Sequence, residues 1–379
     1  MYDYKTHNLP NGLKILTMPS KKNKLVTLQL IFKLGNDVET TNRLLELTHF
    51  MEHLFCLFTS TKYPNGKENR EYISNNNIDL DAEVVNKHIL FSLEFKNKHI
   101  EKVFDMVCHA LTDFRVDKNL FPQEKNAVIE ELNDFIKEPD YKFERKIDGI
   151  LFKGHQREKS TEMRIDNCKK TKVSDLSKYY KKYFTPRNYV VGVHGNFDNK
   201  SILFLKKNMS GLTGRGYKYS TFSYTNKTNL VFVNKESKIS NLRIYFKVPY
   251  ILFDEESYSI DALIDILSND LNSLFLKKLR TEKGLIYDLD MGSELDEIDK
   301  NLSIIEISTS CNTSNVLKVL EYILEILYAV KNKFIDETEI KKYKEQCNIS
   351  YIKDKASPSP IDILNSYCNY LLWDHKIIT

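Results

Sequence analysis

The strongest constraint on the fold is an order of elements that occurs twice. In the first half, Leu13 to Met18 is a short apolar run after the turn signal Pro10-Asn11-Gly12. Val26, Leu28, Leu30, Phe32 and Leu34 then alternate with Thr27, Gln29 and Lys33, which is strand period. A helix is expected from about Thr41 to Leu57, a long strand from Ala82 to Phe95, and an amphipathic helix from Lys98 to Phe114. Pro122 to about Lys137 reads as a further helix, and Ser174-Asp175 as the N-cap of one ending near Phe184. Tyr189 to Gly195 reads as a strand. In the second half come strands at Leu230–Asn234 and Leu242–Val248, a helix at Glu256–Lys278, strands at Leu285–Met291 and Leu302–Ser310, and a helix at Asn315–Lys331.

Between the halves, residues 209–226 are rich in Gly, Ser and Thr and read as a linker. The expectation is an α+β chain of two similar domains, 1–208 and 227–379, each a mostly antiparallel sheet packed with helices.

Composition narrows the function. The chain has 379 residues, with 56 Lys and Arg against 52 Asp and Glu. That balance carries no strong electrostatic capture of nucleic acid or anionic lipid. The six cysteines form no CxxC pair and are scattered along the chain, which fits free thiols in a reducing compartment. No apolar run reaches the roughly 18–20 residues of a membrane span, and the N-terminus does not read as a signal or transit peptide. An intracellular, cytoplasmic location without a membrane span is expected.

One constellation carries chemistry: His49-Phe50-Met51-Glu52-His53. Positions i and i+4 share a helix face, so His49 and His53 can present two imidazoles to one ion. Glu52 lies beside that face. Zinc suits two neutral imidazoles, one further ligand and an open position for water. An adjacent carboxylate can take that water's proton. The surrounding helix is apolar nearly all round. Burying His, Glu and His there without partners is costly, and a metal removes that cost. The motif leaves the third ligand open.

H-x-x-E-H is the inverzincin pattern, and the chain resembles the M16 zinc metallopeptidases (pitrilysin, insulysin, mitochondrial processing peptidase). Pro10-Asn11-Gly12-Leu13, the approach from Gly35 to Glu39, and Tyr183-Phe184-Thr185-Pro186-Arg187-Asn188 followed by Val191 to Asn196 resemble that family's first domain. Leu274 to Arg280, then Glu282-Lys283-Gly284-Leu285-Ile286-Tyr287, resemble a second-domain signature.

The resemblance implies a LuxS/processing-peptidase-like metallohydrolase fold and one Zn2+ per chain, held by His49, His53 and Glu131. Within Glu124 to Glu131 it makes Glu131 the ligand, Glu124 the carboxylate behind it, and the neighbouring Glu130 neither. Glu52 is implied to activate a zinc-bound water, and Arg280 and Tyr287 to bind the substrate carbonyl. The strand around Asp81, Ala82 and Glu83 is implied to bind an extended peptide along its edge.

The activity implied is a metalloendopeptidase acting on unfolded or presequence-like peptides in a chamber formed by a homodimer or a heterodimer with another M16-like chain. The alternative is a non-catalytic peptide-binding or scaffolding subunit. The chain departs from the family pattern at Asn76-Asn77, at Asp81, in the loop after the zinc helix, and in ending at Thr379, somewhat short of the usual C-terminal end of the second domain.

Overall fold

A computed structural model describes residues 3–223, 237–333, 335–356 and 359–377. The strand expected at Leu230–Asn234 and residues 224–226 of the linker lie outside the described residues. The chain divides into two compact units, with divisions at Thr221 and again at Ser359.

The first unit is built on a six-stranded sheet. Its strands are β1 (Lys5–Asn8), β2 (Lys14–Pro19), β3 (Leu25–Phe32), β4 (Asp79–Val84), β5 (Ile89–Lys96) and β6 (Tyr189–Gly195), in the spatial order β1-β2-β6-β3-β5-β4. β2 and β6 run parallel and every other pair is antiparallel. β3 and β6 are buried almost throughout, because helices cover both faces of the sheet. The helices before β6 are α1 (Leu47–Phe55), α2 (Gly66–Asn75), α3 (Ile100–Asp113), α4 (Phe121–Lys137), α5 (Tyr141–Leu151), α6 (Thr161–Lys170) and α7 (Val173–Tyr183). α8 (Asn199–Met209) follows it.

α1 is seated by rings. Phe55 lies 4.8 Å from Phe91, 5.5 Å from Phe184 and 5.9 Å from Phe32, centroid to centroid. Aromatic contacts at these separations fix the helix on the sheet. α1 begins at Leu47, later than the expected Thr41, because residues 41–46 turn before the helix starts.

The long strand expected over Ala82–Phe95 is a hairpin, β4 and β5, broken at Val85–His88. The carbonyls of Val85 and Asn86 leave the ladder and accept from the backbone N–H groups of Asn36 and Asp37 at 3.1 and 2.8 Å. Gly35 fits against that turn because a Cβ there would lie 2.2 Å from the Val85 carbonyl oxygen.

Residues 210–220 are non-helical and are tied to the first unit. Thr185 donates to the Arg215 carbonyl at 2.9 Å, and the Tyr219 hydroxyl to that of Lys87 at 3.0 Å.

The second unit carries a three-stranded antiparallel sheet. Its strands, β7 (Ile239–Lys247), β8 (Ile286–Glu294) and β9 (Ile304–Asn312), lie in the order β7-β9-β8. The helix expected over Glu256–Lys278 is interrupted. α9 (Glu255–Ser268) stops, α10 (Leu274–Leu276) restarts, and one π turn (Lys277–Glu282) follows. α11 (Val316–Lys333) and α12 (Glu337–Ala356) complete the unit.

The C-terminal α13 (Pro360–Leu372) belongs with the first unit, a difference from the boundary drawn on sequence. It lies directly on β6, where a Cβ on Gly192 would come within 2.6 Å of Cys368 Sγ. Its apolar residues Leu364, Cys368 and Leu372 are buried, which supplies the reason.

Candidate metal centre

The centre is made by α1 and α4. Phe50 of α1 stacks on Phe121 of α4 with centroids 5.4 Å apart, and Val128 of α4 is fully buried. This packing turns two polar edges toward each other. His49 and His53 come from α1, and Glu131 from α4.

Their donor atoms form a tight triangle. His49 Nε2 and His53 Nε2 are 3.1 Å apart; Glu131 Oε2 is 3.1 Å from the first and 3.4 Å from the second. Four donors at zinc bond lengths around an ideal tetrahedron stand about 3.3–3.5 Å apart. Two imidazoles and a carboxylate at this spacing fit a zinc ion in donor type and in size. Glu131 is half exposed, so the triangle opens on one side. Glu130 points to solvent and is not part of it.

Glu52 stands further out, its Oε2 4.0 Å from His49 Nε2 and 3.8 Å from His53 Nε2. Cys56, one turn on, reaches its other oxygen at 3.8 Å. Burial raises the Glu52 pKa and Glu131 adds to this, while the two imidazoles hold it back.

Behind the triangle lies a second layer of charge. His49 Nδ1 is 2.7 Å from Glu46 Oε1, and His53 Nδ1 is 3.6 Å from Glu124 Oε2. The Arg70 guanidinium donates to Glu124 at 2.7 Å. Burial works against the Glu124 charge, but His53 and Arg70 outweigh it and hold its pKa below the usual carboxylate range. Burial likewise disfavours charge on His49, yet Glu46 with Glu52 and Glu131 raises its pKa.

The start of α1 is capped from a distance. Glu39, fully buried, accepts from the Glu46 and Thr48 backbone N–H groups at 2.9 and 3.0 Å. Arg164 of α6 donates to Glu39 at 2.8 Å and to Glu46 at 3.3 Å. Sequence reasoning missed Glu46, Arg164 and Arg70. For Glu46 a local signal exists, a carboxylate three residues before a candidate ligand on a helix.

Asp81, Ala82 and Glu83 lie on β4, at one edge of the six-stranded sheet and packed beside α1. Arg280 and Tyr287 lie in the second unit. Arg280 sits in the π turn, and Tyr287 where the β8–β9 register slips between Ile286 and Leu289. The guanidinium stacks on the phenol ring at 4.6 Å, and Tyr287 is 78% exposed. π turns and bulges re-aim side chains away from regular ladders.

An α+β first unit with an imidazole–imidazole–carboxylate triangle between two helices has the donor set of a zinc site, and likeness to known proteins gives the class. The profile described as "Insulinase (Peptidase family M16)" matches residues 14–164, and that described as "Peptidase M16 inactive domain" matches residues 171–347. The chain belongs to the M16 peptidase family. It is 24% identical over 378 residues to the uncharacterized zinc protease YmxG of Bacillus subtilis, covering 99% of this chain and 90% of that one.

A protease from Helicobacter pylori superposes with a TM-score of 0.78 at 17% identity, over 99% of this chain and 90% of that one. The first half of the periplasmic protease PqqL from Escherichia coli gives 0.79 at 15% identity, over 99% and 83%. These likenesses show the two-domain M16 fold. Among the described residues, no helix is long and apolar enough to cross a membrane.

Proposed function

We propose that the protein is a zinc-dependent endopeptidase of extended, unfolded peptides, working as a pair of chains. The observation that carries this is the triangle of His49, His53 and Glu131, whose donor atoms are 3.1–3.4 Å apart with one open side. These three residues would hold the ion. When bound, zinc supplies Lewis acidity, bringing the pKa of a water down toward about 7 and polarising a carbonyl.

The protein's own groups do the rest. The Glu52 carboxylate, made a stronger base by the burial that raises its pKa, takes the proton of the attacking water and gives it to the leaving amide nitrogen. The outer edge of β4, at Asp81, Ala82 and Glu83, which no strand among the described residues pairs with, accepts the peptide as an added strand and so selects extended backbone. Arg280 and Tyr287 donate to the carbonyl oxygen as it gains negative charge. In a pair of chains they serve the centre of the other copy.

Digestion of a peptide library, with and without a chelator and with Glu52→Gln as control, tests the reading. Cleavage that needs both metal and Glu52 supports it. Cleavage that survives chelation, or none by a protein holding one zinc per chain, sinks it. In the latter case the protein is a peptide-binding subunit.

A further inference from the structure

Glu46 has an unusual backbone. It immediately precedes α1 with φ 67° and ψ 6°, the left-handed region, where a side chain is disfavoured and glycine fits without strain. Its side chain does not cap the helix, because Glu39 takes the free N–H groups of Glu46 and Thr48. Yet the Glu46 carboxylate is buried, with His49 Nδ1 at 2.7 Å from one oxygen and Arg164 at 3.3 Å from the other. A strained position kept for a buried charge calls for a role that glycine cannot fill.

We propose that Glu46 is a positioning residue for the metal centre: its carboxylate accepts the Nδ1–H of His49, so that this ring presents Nε2 toward His53 and Glu131. The inference rests on the zinc reading above. A neutral imidazole carries one proton on one of two nitrogens. Fixing it on Nδ1 leaves the lone pair on Nε2, the atom that stands in the donor triangle. Arg164, held also by Glu39, stops the Glu46 carboxylate from turning away. The second imidazole is held more loosely, with Glu124 at 3.6 Å from His53 Nδ1. His49 is therefore the ring whose orientation is set before an ion arrives.

The test compares wild type, Glu46→Gly and Glu46→Gln. Zinc affinity is measured by competition with a chromophoric chelator, and the His49 tautomer by nitrogen NMR of the apo-protein. Glu46→Gly also relieves the left-handed backbone, which offsets part of the lost contacts to His49 and Arg164, so circular dichroism should show it folded. Its zinc affinity should nevertheless fall roughly 10–100-fold, and His49 should become a mixture of tautomers. Glu46→Gln, whose amide oxygen still accepts the N–H, should lie between the two.

Zinc affinity of Glu46→Gly within twofold of wild type overturns the proposal, as does Glu46→Gln falling as far as Glu46→Gly. A wild-type chain that binds no zinc overturns both this inference and the peptidase reading. Loss of peptide cleavage alone, with the ordering of zinc affinities kept, overturns the peptidase reading and upholds the role of Glu46.

Discussion

Glu124 and Glu131, seven residues apart on one face of α4, address opposite nitrogens of the same imidazole. Glu124 Oε2 is 3.6 Å from His53 Nδ1, and Glu131 Oε2 is 3.4 Å from His53 Nε2. One carboxylate therefore stands behind the ring and the other beside its donor atom. Glu124 is buried and tied to Arg70, while Glu131 is 54% exposed. Their positions suit the proposed roles of a support for Glu124 and a ligand for Glu131.

This division predicts graded losses of zinc. Glu131→Ala should weaken binding by at least about a hundredfold, and Glu124→Ala by about 10–100-fold, because it acts through His53. Glu130→Ala, outside the triangle, should bind as wild type does. A competition titration of the three variants checks this. Equal weakening by Glu130→Ala and Glu131→Ala would mean that α4 presents a diffuse acidic surface and no defined ligand.

Glu52→Gln should separate binding from turnover. Glu52 stands 3.8–4.0 Å from the imidazole donor atoms, outside their triangle. The amide retains the shape but cannot hold a proton, so kcat should fall by about 10²–10⁴ with zinc content unchanged. Metal analysis and kinetics on the same preparation check both halves. Full activity in this variant removes Glu52 from the proton pathway.

Arg280→Ala and Tyr287→Phe should each lower kcat by about 10²–10³, the usual cost of one donor to a developing oxyanion. Neither should change zinc affinity. Mixing Glu52→Gln chains with Arg280→Ala chains adds a test of pairing. If each centre draws its donors from the other copy, each mixed dimer regains one working site of its two. Mixed dimers shown to form, yet without activity, count against donors shared between chains.

What the sequence makes legible here is local. Two histidines four residues apart, with a glutamate between them, declare a helix face and its chemistry, and the period-2 run of β3 declares a buried strand. The hairpin at Val85–His88 is harder to read because apolar and polar residues continue through it. Its cause lies elsewhere in the chain: Lys87, 2% exposed, reaches Asp37 at 2.7 Å. Arg164 is illegible for the same reason, meeting Glu46 across 118 positions of sequence. The break between α9 and α10 has a local signal, since Ser268-Asn269-Asp270 and Asn272-Ser273 are turn formers, although Leu271, Leu274 and Leu276 carry the apolar content across it. Pattern shows which face is buried, but not which distant charge will be buried with it.

The Asp37–Lys87 pair leads to a prediction about acid. Burial alone would raise the Asp37 pKa, but Arg157, at 3.0 Å, and Lys87 outweigh it and hold it at about 2. An unfolded aspartate titrates near 3.9, so the folded value is depressed. The stabilisation is therefore complete above about pH 4 and is lost as pH falls toward 2. A depression of this size is worth about 2–3 kcal/mol. Asp37→Asn should remove that part of the acid dependence between pH 4 and pH 2. At pH 7 it should cost more, about 3–5 kcal/mol, because Lys87 and Arg157 lose the buried carboxylate they share. Replacing Lys87 as well, as in Asp37→Asn with Lys87→Met, should recover part of that loss. Urea unfolding of the single and double variants at pH 7 and pH 3 measures both effects. If Asp37→Asn is as stable as wild type at pH 7, the pair does not hold the β4–β5 turn against the approach to α1.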